Sequence, residues 1–230
     1  MDSSKKLLEK NMSANKNLDQ VYEENIKFWD AAWTRVSKPH KDLPRLPYIH
    51  ELTRKFKKYK VKKVLDLGCG SGWLSIFMSK YSFDVTGIDA AKPAIELGKM
   101  WAKEDNATVN FLVGDLFSLP FKEGTFDAIV CNSVIEHFRL DQAKVIFEKV
   151  HKILIPGGFF FGCFDNVATG TKGEYFKLED GTHVYTDQMR KGMMLRNYSD
   201  EEIKQLLSEF DLLSFDKNNF GSRLVWGKKK

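Results

Sequence analysis

Three glycines follow a short apolar stretch, and their spacing suits the binding of a small ligand. The segment reads VLDLGCGSGWLS over residues 64–75, with Gly68, Gly70 and Gly72 at alternate positions. Glycines at such a bend let the chain turn tightly and let backbone N–H groups approach a ligand closely. A helix predicted just beyond them adds partial positive charge at its N-terminus. The spacing is GxGxG, which differs from the GxGxxG of dinucleotide sites.

Three acids accompany this loop, each at or near the end of a predicted strand. Asp66 precedes Gly68 by two residues, where a carboxylate would repel a pyrophosphate and suit a cationic amino group. Asp89 ends the next strand, about 20 residues on, where an acid accepts hydrogen bonds from ribose hydroxyls. Asp115 follows the third strand and can accept a hydrogen bond from an exocyclic amine. The three acids therefore predict an edge that binds a ribose and amines.

The elements that position these residues alternate between strand and helix from residue 61 onward. Short apolar runs bounded by turn residues predict strands, and helical periodicity fills the intervals between them. This alternation predicts an α/β fold with a mainly parallel sheet covered on both faces. A capping box at 199–202 opens a last helix, and two final strands are expected to be antiparallel. The expected core elements are strands at 64–67, 84–89, 109–114, 126–132, 159–164, 212–216 and 223–226, and helices at 71–80, 92–104, 141–154 and 199–210.

Two segments lie outside this regular pattern and divide the chain. Residues 1–60 are expected to form a helical extension, with helices at 18–36 and 48–59 separated by a proline-rich loop. Residues 61–230 are expected to form the main domain. Within it, residues 165–198 break the alternation, and a long insertion in a compact domain is usually functional or disordered. Aromatic and apolar residues at 175, 176, 184 and 185 favour a hairpin there.

The charge of the chain is unevenly distributed. Residues 1–60 contain 14 Lys and Arg against 8 Asp and Glu, whereas the remainder contains 22 against 23. Such a basic segment can attract an anionic partner such as RNA or acidic lipid, although a solvated helix face is the simpler interpretation. There is no apolar run long enough for a signal peptide or a membrane span, so we expect a cytoplasmic protein without a membrane contact.

The three cysteines are widely spaced and form no CxxC pair, so they predict neither a disulfide framework nor a metal site. Cys69, Cys131 and Cys163 all lie at or near the carboxyl ends of predicted strands. They could therefore line one edge of the sheet. Packing as small buried residues is the favoured interpretation over a redox or metal role.

Taken together, these motifs resemble those of the class I S-adenosylmethionine-dependent methyltransferases, over about residues 61–164. VLDLGCGSG resembles the first motif of that family, TGIDA carries its second acid at Asp89, and VGDLFSLPF carries its adenine-contacting acid at Asp115. FDAIVCNSVIEHF over residues 126–138 matches the fourth-strand motif. ILIPGGFFF over residues 153–161 matches the motif after the following helix.

The resemblance implies S-adenosylmethionine as the cofactor, with S-adenosylhomocysteine as its product. It also implies a Rossmann-like three-layer sandwich whose seven-stranded sheet is mostly parallel, with the last strand antiparallel. In the family the glycine loop contacts the methionine part, residues after the second and third strands flank the adenine, and residues after the fourth strand lie near the methyl group. The residues expected to bind the cofactor are therefore Asp66, Gly68, Cys69, Gly70, Gly72, Asp89, Ala90, Asp115, Leu116, Asn132 and Ser133.

Methyl transfer from a sulfonium is an in-line displacement, so the protein mainly holds donor and acceptor in line and excludes water. A base is needed only when the acceptor atom carries a proton. His137 lies beyond the fourth strand, near the expected methyl group, and is the first candidate for that base. The alternative is that Glu136 and His137 begin the next helix and bond locally. His183 in the insertion is a second candidate.

The segments outside the core are expected to form the substrate side. Trp29 and Trp33 on the first helix predict an aromatic lid that excludes water and could face the sulfonium, unless they simply pack on the sheet. Tyr175, Tyr185 and Tyr198 are expected to line or cap an acceptor pocket.

The sequence leaves three functions open. A methyltransferase acting on a small molecule ranks first, because the chain is compact and carries no added RNA-binding domain. A methyltransferase acting on RNA or protein ranks second, since the fourth strand reads CNSV rather than the NPPY typical of amino-group methylation. A noncatalytic cofactor-binding protein ranks third. The glycine spacing and Asp66 disfavour a nicotinamide-dependent oxidoreductase.

Overall fold

A central seven-stranded sheet organises the chain in the computed structural model, which describes residues 17–37, 47–167 and 173–230. The sheet order is β3-β2-β1-β4-β5-β10-β9. The first five of these strands run parallel, and β10 is antiparallel to both of its neighbours. The strands of this sheet are β1 (Lys63–Leu67), β2 (Asp84–Asp89), β3 (Asn110–Val113), β4 (Phe126–Asn132), β5 (Leu154–Phe164), β9 (Phe210–Lys217) and β10 (Arg223–Lys229).

Helices cover both faces of this sheet, and the α/β sandwich with an antiparallel last strand is confirmed. Two further single turns of 3₁₀ helix follow β3 and β4, at Leu116–Ser118 and Ile135–His137. The helices are α1 (Leu18–Thr34), α2 (Pro47–Lys58), α3 (Trp73–Ser79), α4 (Lys92–Glu104), α5 (Leu140–Ile153) and α6 (Asp200–Leu206).

The core forms two main apolar layers because successive side chains on a strand point to opposite faces. Leu65 of β1 and Phe160 of β5 belong to the layer beneath α5 and α6. Val64 and Phe161 belong to the opposite layer, which is filled by α2 and α3. The strands are therefore apolar on both faces, as a parallel sheet covered on both sides requires.

Most predicted boundaries are correct to within two residues, and three details differ. Helix α3 begins at Trp73 rather than Ser71, because Gly72 before it has a left-handed φ of 74°. Strand β5 begins at Leu154, so Pro156 to Gly158 lie inside an irregular strand rather than in a turn. Helix α6 ends at Leu206, and Phe210 already belongs to β9. Most of the proline-rich loop predicted at 37–47 lies outside the described residues.

The insertion forms a second, smaller sheet. Its strands are β6 (Tyr175–Lys177), β7 (His183–Tyr185) and β8 (Met194–Leu195), all antiparallel. The predicted hairpin is confirmed, with Tyr175 opposite Tyr185, and β8 was missed because two residues carry no periodicity. Val21 of α1 packs with Val184 and Met194 of this sheet. We call α1 together with β6–β8 the cap.

Among the residues that the structure describes, none of the helices is both long and apolar enough to cross a bilayer.

Candidate active site

A cavity opens between the cap and the carboxyl ends of the central strands. Its volume is about 130 Å³. It lies beside the ends of β1 and β4, where the strand order of the sheet reverses, and ligands of open α/β sheets bind at such switch points. Its lining residues are Asn25, Ile26, Trp29, Trp33, Gly68, Gly70, Asp89, Ala90, Leu116, Ser133, Val134, His137 and Phe138.

The glycine loop is held against the end of β2 by backbone hydrogen bonds. The N–H groups of Gly68 and Cys69 both donate to the carbonyl oxygen of Ile88, at 2.8 and 3.0 Å. Gly68 has a φ of 68°, and a Cβ placed on it would lie 2.6 Å from a methyl group of Val134. Gly70 has a φ of 52°, and a Cβ there would lie 2.8 Å from the Trp33 ring. Both the left-handed backbone and the close neighbours therefore require glycine at these two positions.

Asp89 fixes the other side of the loop. Its carboxylate accepts the N–H of Gly70 at 2.8 Å and the N–H of Ala91 at 2.9 Å. Burial raises its pKa above the usual value, and the two N–H donors partly offset that rise. A carboxylate has about four acceptor positions, so Asp89 keeps capacity for hydroxyl groups of a ligand in the cavity.

Asp66 lies beneath the glycine loop and does not line the cavity. Its carboxyl group is buried and accepts a hydrogen bond from the Ser75 hydroxyl at 2.6 Å. Burial is the main reason that its pKa rises to about 7. The structure therefore gives Asp66 a position that supports the loop, and its predicted contact with the cofactor amino group stays a prediction.

Asp115 connects the core to the cap. One of its carboxylate oxygens accepts the N–H of Phe117 and the hydroxyl of Tyr22, each at 2.8 Å. Tyr22 lies on α1, and burial is the main reason that the pKa of its phenol rises well above the usual value. The carboxylate is therefore already engaged by the cap, while the neighbouring Leu116 lines the cavity.

His137 lies in the cavity wall. Its ring meets Trp29 edge-on with 4.5 Å between the ring centres, and its Nδ1 lies 3.1 Å from the carbonyl oxygen of Met194. A carbonyl oxygen can only accept, so Nδ1 carries the hydrogen and Nε2 of the neutral ring keeps its lone pair. Burial lowers the pKa of His137 and so favours this neutral ring.

Asn25 is a buried cap residue that the sequence analysis did not assign to the site. Its side-chain amide donates to the carbonyl oxygen of His137 at 3.1 Å and accepts the N–H of Met194 at 3.0 Å. The side chain therefore joins α1, the loop after β4 and β8 at one point. A polar residue on the apolar face of the first helix was the available signal. Ile26, Val134 and Phe138 were also missed, since apolar residues at these positions look like ordinary core.

The predicted site residues fall into two groups. Nine of them line the cavity, namely Trp29, Trp33, Gly68, Gly70, Asp89, Ala90, Leu116, Ser133 and His137. Five of the predicted cofactor residues lie behind or beside that wall, namely Asp66, Cys69, Gly72, Asp115 and Asn132. His183 is paired in the small sheet and its ring packs on Tyr175.

The three tyrosines expected at the acceptor pocket are not cavity-lining residues. Tyr185 is buried and its ring contacts the Arg190 guanidinium at 4.0 Å. Tyr198 is buried and its hydroxyl donates to the carbonyl oxygen of Phe138 at 2.8 Å. Tyr175 pairs with Tyr185 across β6 and β7. Aromatic type alone could not separate residues that pack within the cap from residues that face the cavity.

The cysteines are free and buried, and they occupy different surroundings. Cys69 packs against Ile76 and Trp101, whereas Cys131 belongs to the main core layer. Cys163 lies at the end of β5 and its thiol donates to Asp165 at 3.6 Å. Burial is the largest of the causes that raise the Cys163 pKa to about 12. These surroundings favour packing over a reactive role for Cys69 and Cys131.

Comparison with known proteins agrees with this geometry. Residues 64–158 match the family model described as a methyltransferase domain. The chain therefore contains a methyltransferase domain and is similar to the class I S-adenosylmethionine-dependent methyltransferases. The matched residues run from β1 into β5 and so include the glycine loop, Asp89, Asp115 and the loop after β4. The predicted cofactor, S-adenosylmethionine, is that of this family.

Individual relatives resemble the methyltransferase over most of its length. It is 29% identical over 221 residues to a protein of Coxiella burnetii named ubiquinone biosynthesis O-methyltransferase, with 85% of this chain and 91% of the relative covered. Among solved structures, the PH0226 protein from Pyrococcus horikoshii matches with a TM-score of 0.71 at 26% identity, covering 81% of this chain and 90% of that one. The magnesium protoporphyrin IX methyltransferase from Synechocystis shares the fold, with a TM-score of 0.66 at 15% identity over 94% of this chain and all of that one.

Proposed function

We propose that this methyltransferase transfers the methyl group of S-adenosylmethionine to a hydroxyl oxygen of a small, largely apolar molecule. The observation that carries the proposal is the cavity at the strand switch point, enclosed by the glycine loop and Asp89 on one side and by the aromatic cap on the other. S-adenosylmethionine supplies a methyl group already activated on a sulfonium. The protein therefore has to bind, orient and exclude water.

The residues of the cavity suit this cofactor. Gly68 and Gly70 carry no side chains, so their backbone can approach the methionine part closely. Asp89 keeps acceptor capacity for the ribose hydroxyls, and Ala90 and Leu116 offer apolar surfaces for the adenine. Trp29 adds an indole N–H that is buried and has no acceptor within the described residues. A polar atom of a ligand would satisfy that donor.

Oxygen as the accepting atom is supported by the names of the relatives and by the wall itself. The relatives in Coxiella burnetii and Xanthomonas campestris are both named O-methyltransferases; the latter is 30% identical over 134 residues, covering 54% of this chain and 55% of that one. The wall facing the glycine loop combines Trp29, Phe138 and Val134 with a few polar groups, which suits an apolar body carrying a hydroxyl.

His137 is the group we propose to receive the hydroxyl proton. Its Nδ1 is held by the Met194 carbonyl, so Nε2 is the basic atom of the neutral ring. In the transfer a new O–C bond forms and the S–C bond breaks with its electron pair left on sulfur. The hydroxyl proton passes to Nε2.

The cap provides water exclusion in this scheme. We propose that residues 1–60 act as a lid extension and that residues 165–198 cap the acceptor. Trp33 reaches the glycine loop from α1, and Asn25 joins α1 to both β8 and the loop after β4. These contacts hold the cap against the ligand cavity.

The test is label transfer from methyl-tritiated S-adenosylmethionine into a cell extract separated into metabolite, RNA and protein fractions. The wild-type protein is expected to label the metabolite fraction, and Asp89→Ala to label none. Label that appears only in RNA or protein would refute a small-molecule acceptor. In that case the basic residues of 1–60 would become the recognition surface. Cofactor binding without transfer to any fraction would refute an enzymatic function.

A further inference from the structure

A series of three hydrogen-bonded side chains runs from α2 to the cavity, and it includes Asn132 and Ser133, two residues expected near the methyl group of the cofactor. The Tyr48 hydroxyl donates to Asn132 Oδ1 at 2.6 Å, and Asn132 Nδ2 donates to Ser133 Oγ at 3.2 Å. Ser133 lines the cavity beside Val134 and His137. This series of hydrogen bonds therefore begins on α2, within residues 1–60, and ends at the cavity wall.

The direction of the chain follows from the chemistry of the amide group. Asn132 turns its Oδ1 to the Tyr48 hydroxyl and its Nδ2 to Ser133 Oγ, and an amide oxygen can only accept while an amide nitrogen can only donate. Ser133 Oγ is thereby used as an acceptor. Its own hydrogen is left free for an acceptor atom elsewhere, and the cavity is where a ligand can offer one.

The backbone at Ser133 adds an independent indication. Ser133 has a φ of 57°, in the left-handed region that a residue with a side chain seldom adopts. Its N–H donates to the carbonyl oxygen of Cys163 at 3.0 Å, so the unusual conformation is held by the end of β5. Such conformations cost free energy and concentrate at functional sites. Glycine would remove the cost here, yet serine stands at this position.

The other end of the chain is rigidly placed. The Tyr48 ring packs on Phe161 of β5 with 5.5 Å between the ring centres. Burial is the main reason that the pKa of the Tyr48 phenol lies well above its usual range, so the hydroxyl keeps its proton. Tyr48 therefore acts as a fixed donor at neutral pH.

We infer that Tyr48 and Asn132 orient the Ser133 hydroxyl so that it donates a hydrogen bond to the oxygen atom that receives the methyl group. This inference rests on the proposed function. One lone pair of the acceptor oxygen is held by Ser133, which leaves another free to meet the methyl group in line. Ser133 is the residue that touches the acceptor, and Tyr48 and Asn132 are positioning residues.

The experiment measures methyl transfer by wild type, Tyr48→Phe, Ser133→Gly and the double variant. The acceptors are catechol and an ultrafiltered small-molecule extract of cells. Each single variant is expected to lower kcat by roughly tenfold, as the loss of one oriented hydrogen bond would. The affinity for S-adenosylmethionine, measured by calorimetry, should stay within about twofold for Tyr48→Phe, because Tyr48 does not line the cavity. Ser133→Gly is compatible with the left-handed backbone and so should fold.

The double variant separates an orienting role from a structural one. Residues that act through one chain of hydrogen bonds give non-additive effects, so the double variant should be no slower than either single variant. Tyr81→Phe is the matched control, because the Tyr81 hydroxyl approaches His50 of α2 at 3.4 Å and Tyr81 does not line the cavity. That variant should keep the wild-type rate.

Several outcomes would overturn the inference. Unchanged rates, additive losses or an equal loss of cofactor affinity would each show that the chain does not orient the acceptor. A labelled product that carries its methyl group on nitrogen, sulfur or carbon would refute the inference and leave transfer to a small molecule intact. Absence of any transfer by the wild type would refute the proposed function as well.

Discussion

The two sides of the cavity are built in different ways. The cofactor side, formed by β1, β2 and the loop of residues 68–72, is joined by backbone hydrogen bonds and by Asp89, over a separation of about 20 residues. The cap is joined to the core by side chains whose partners lie far away in the chain. Asn25 makes hydrogen bonds to His137 and Met194, which lie 112 and 169 positions further along the chain.

This difference indicates how each side tolerates change. The hydrogen bonds between backbone groups at the sheet edge require one particular backbone conformation, and they keep that side of the cavity rigid. Single side-chain bonds between distant segments can break one at a time, which allows a cap to open and close over a ligand. We therefore expect substitutions on the cofactor side to weaken cofactor binding strongly and substitutions in the cap to weaken it by smaller steps.

The largest effect is expected for Asp89→Ala. Removing this carboxylate leaves the N–H groups of Gly70 and Ala91 without their acceptor and removes the predicted ribose partner. Affinity for S-adenosylmethionine should fall by about 100-fold or more in calorimetry, since bonds to a charged group are worth about 1.5–3 kcal/mol each. Asp105→Ala, which breaks only an ion pair with Lys80 at a partly exposed site, is the control and should bind normally. Normal binding by Asp89→Ala would contradict a rigid cofactor side.

The second largest effect is expected for Glu136, a buried acid in the 3₁₀ turn after β4. Glu136 accepts the N–H of Asp165 through its side chain and that of Arg196 through its carbonyl oxygen, and burial is the main reason that its pKa rises to about 8. The folded state therefore holds a proton on Glu136 that the unfolded state releases above about pH 4.5. This contribution to stability is present at low pH and is lost as the pH rises toward 8.

Glu136→Gln should remove that pH dependence, because the amide does not ionise. Measured by urea unfolding, the free energy of unfolding of the variant should improve relative to wild type by about 2 kcal/mol between pH 5 and pH 8. A difference between the two proteins that does not change with pH would show that Glu136 is ionised in the fold.

The third prediction compares two glycines, in order to separate the contact between Trp33 and the glycine loop from the strain of a left-handed backbone. Gly70→Ala adds a Cβ 2.8 Å from the Trp33 ring at a φ of 52°, whereas Gly124→Ala has a φ of 61° and no atom within 4 Å. Both variants should lose about 1 kcal/mol of stability from the left-handed backbone. Only Gly70→Ala should also bind S-adenosylmethionine roughly tenfold more weakly. Equal binding by both variants would mean that the Trp33 contact plays no part in cofactor binding.

The smallest effect is expected for a single bond of the cap. Tyr22→Phe removes the hydroxyl that donates to Asp115 and leaves the ring packing against Phe117 in place. Affinity for S-adenosylmethionine should fall by about fivefold, as one net hydrogen bond would predict, with kcat unaffected. A loss as large as that of Asp89→Ala would show that the cap and the cofactor side form one rigid unit.

Local patterns were enough to predict the order and type of nearly all elements. Strand β2 and helix α4 were predicted to the residue, because two aspartates bound the short strand and a proline marks the first helical turn. The start of β5 was missed, since a Pro-Gly-Gly run is a turn signal that pairing with β4 and β10 overrides. Nine of the residues that the motifs and the family resemblance singled out line the cavity, and their individual roles stay predictions.

By itself, then, the sequence determined the fold class, the glycine loop and the acid at the end of β2, because these depend on neighbours within about 20 residues. Only the tertiary structure decided that Tyr185 and Tyr198 pack away from the cavity and that Asn25 joins three segments. It alone brought Tyr48 to Asn132, 84 positions apart in the chain. Contacts of that kind depend on how α1, α2 and the small sheet pack on the core. Local sequence patterns do not predict which residues of such distant segments come close together.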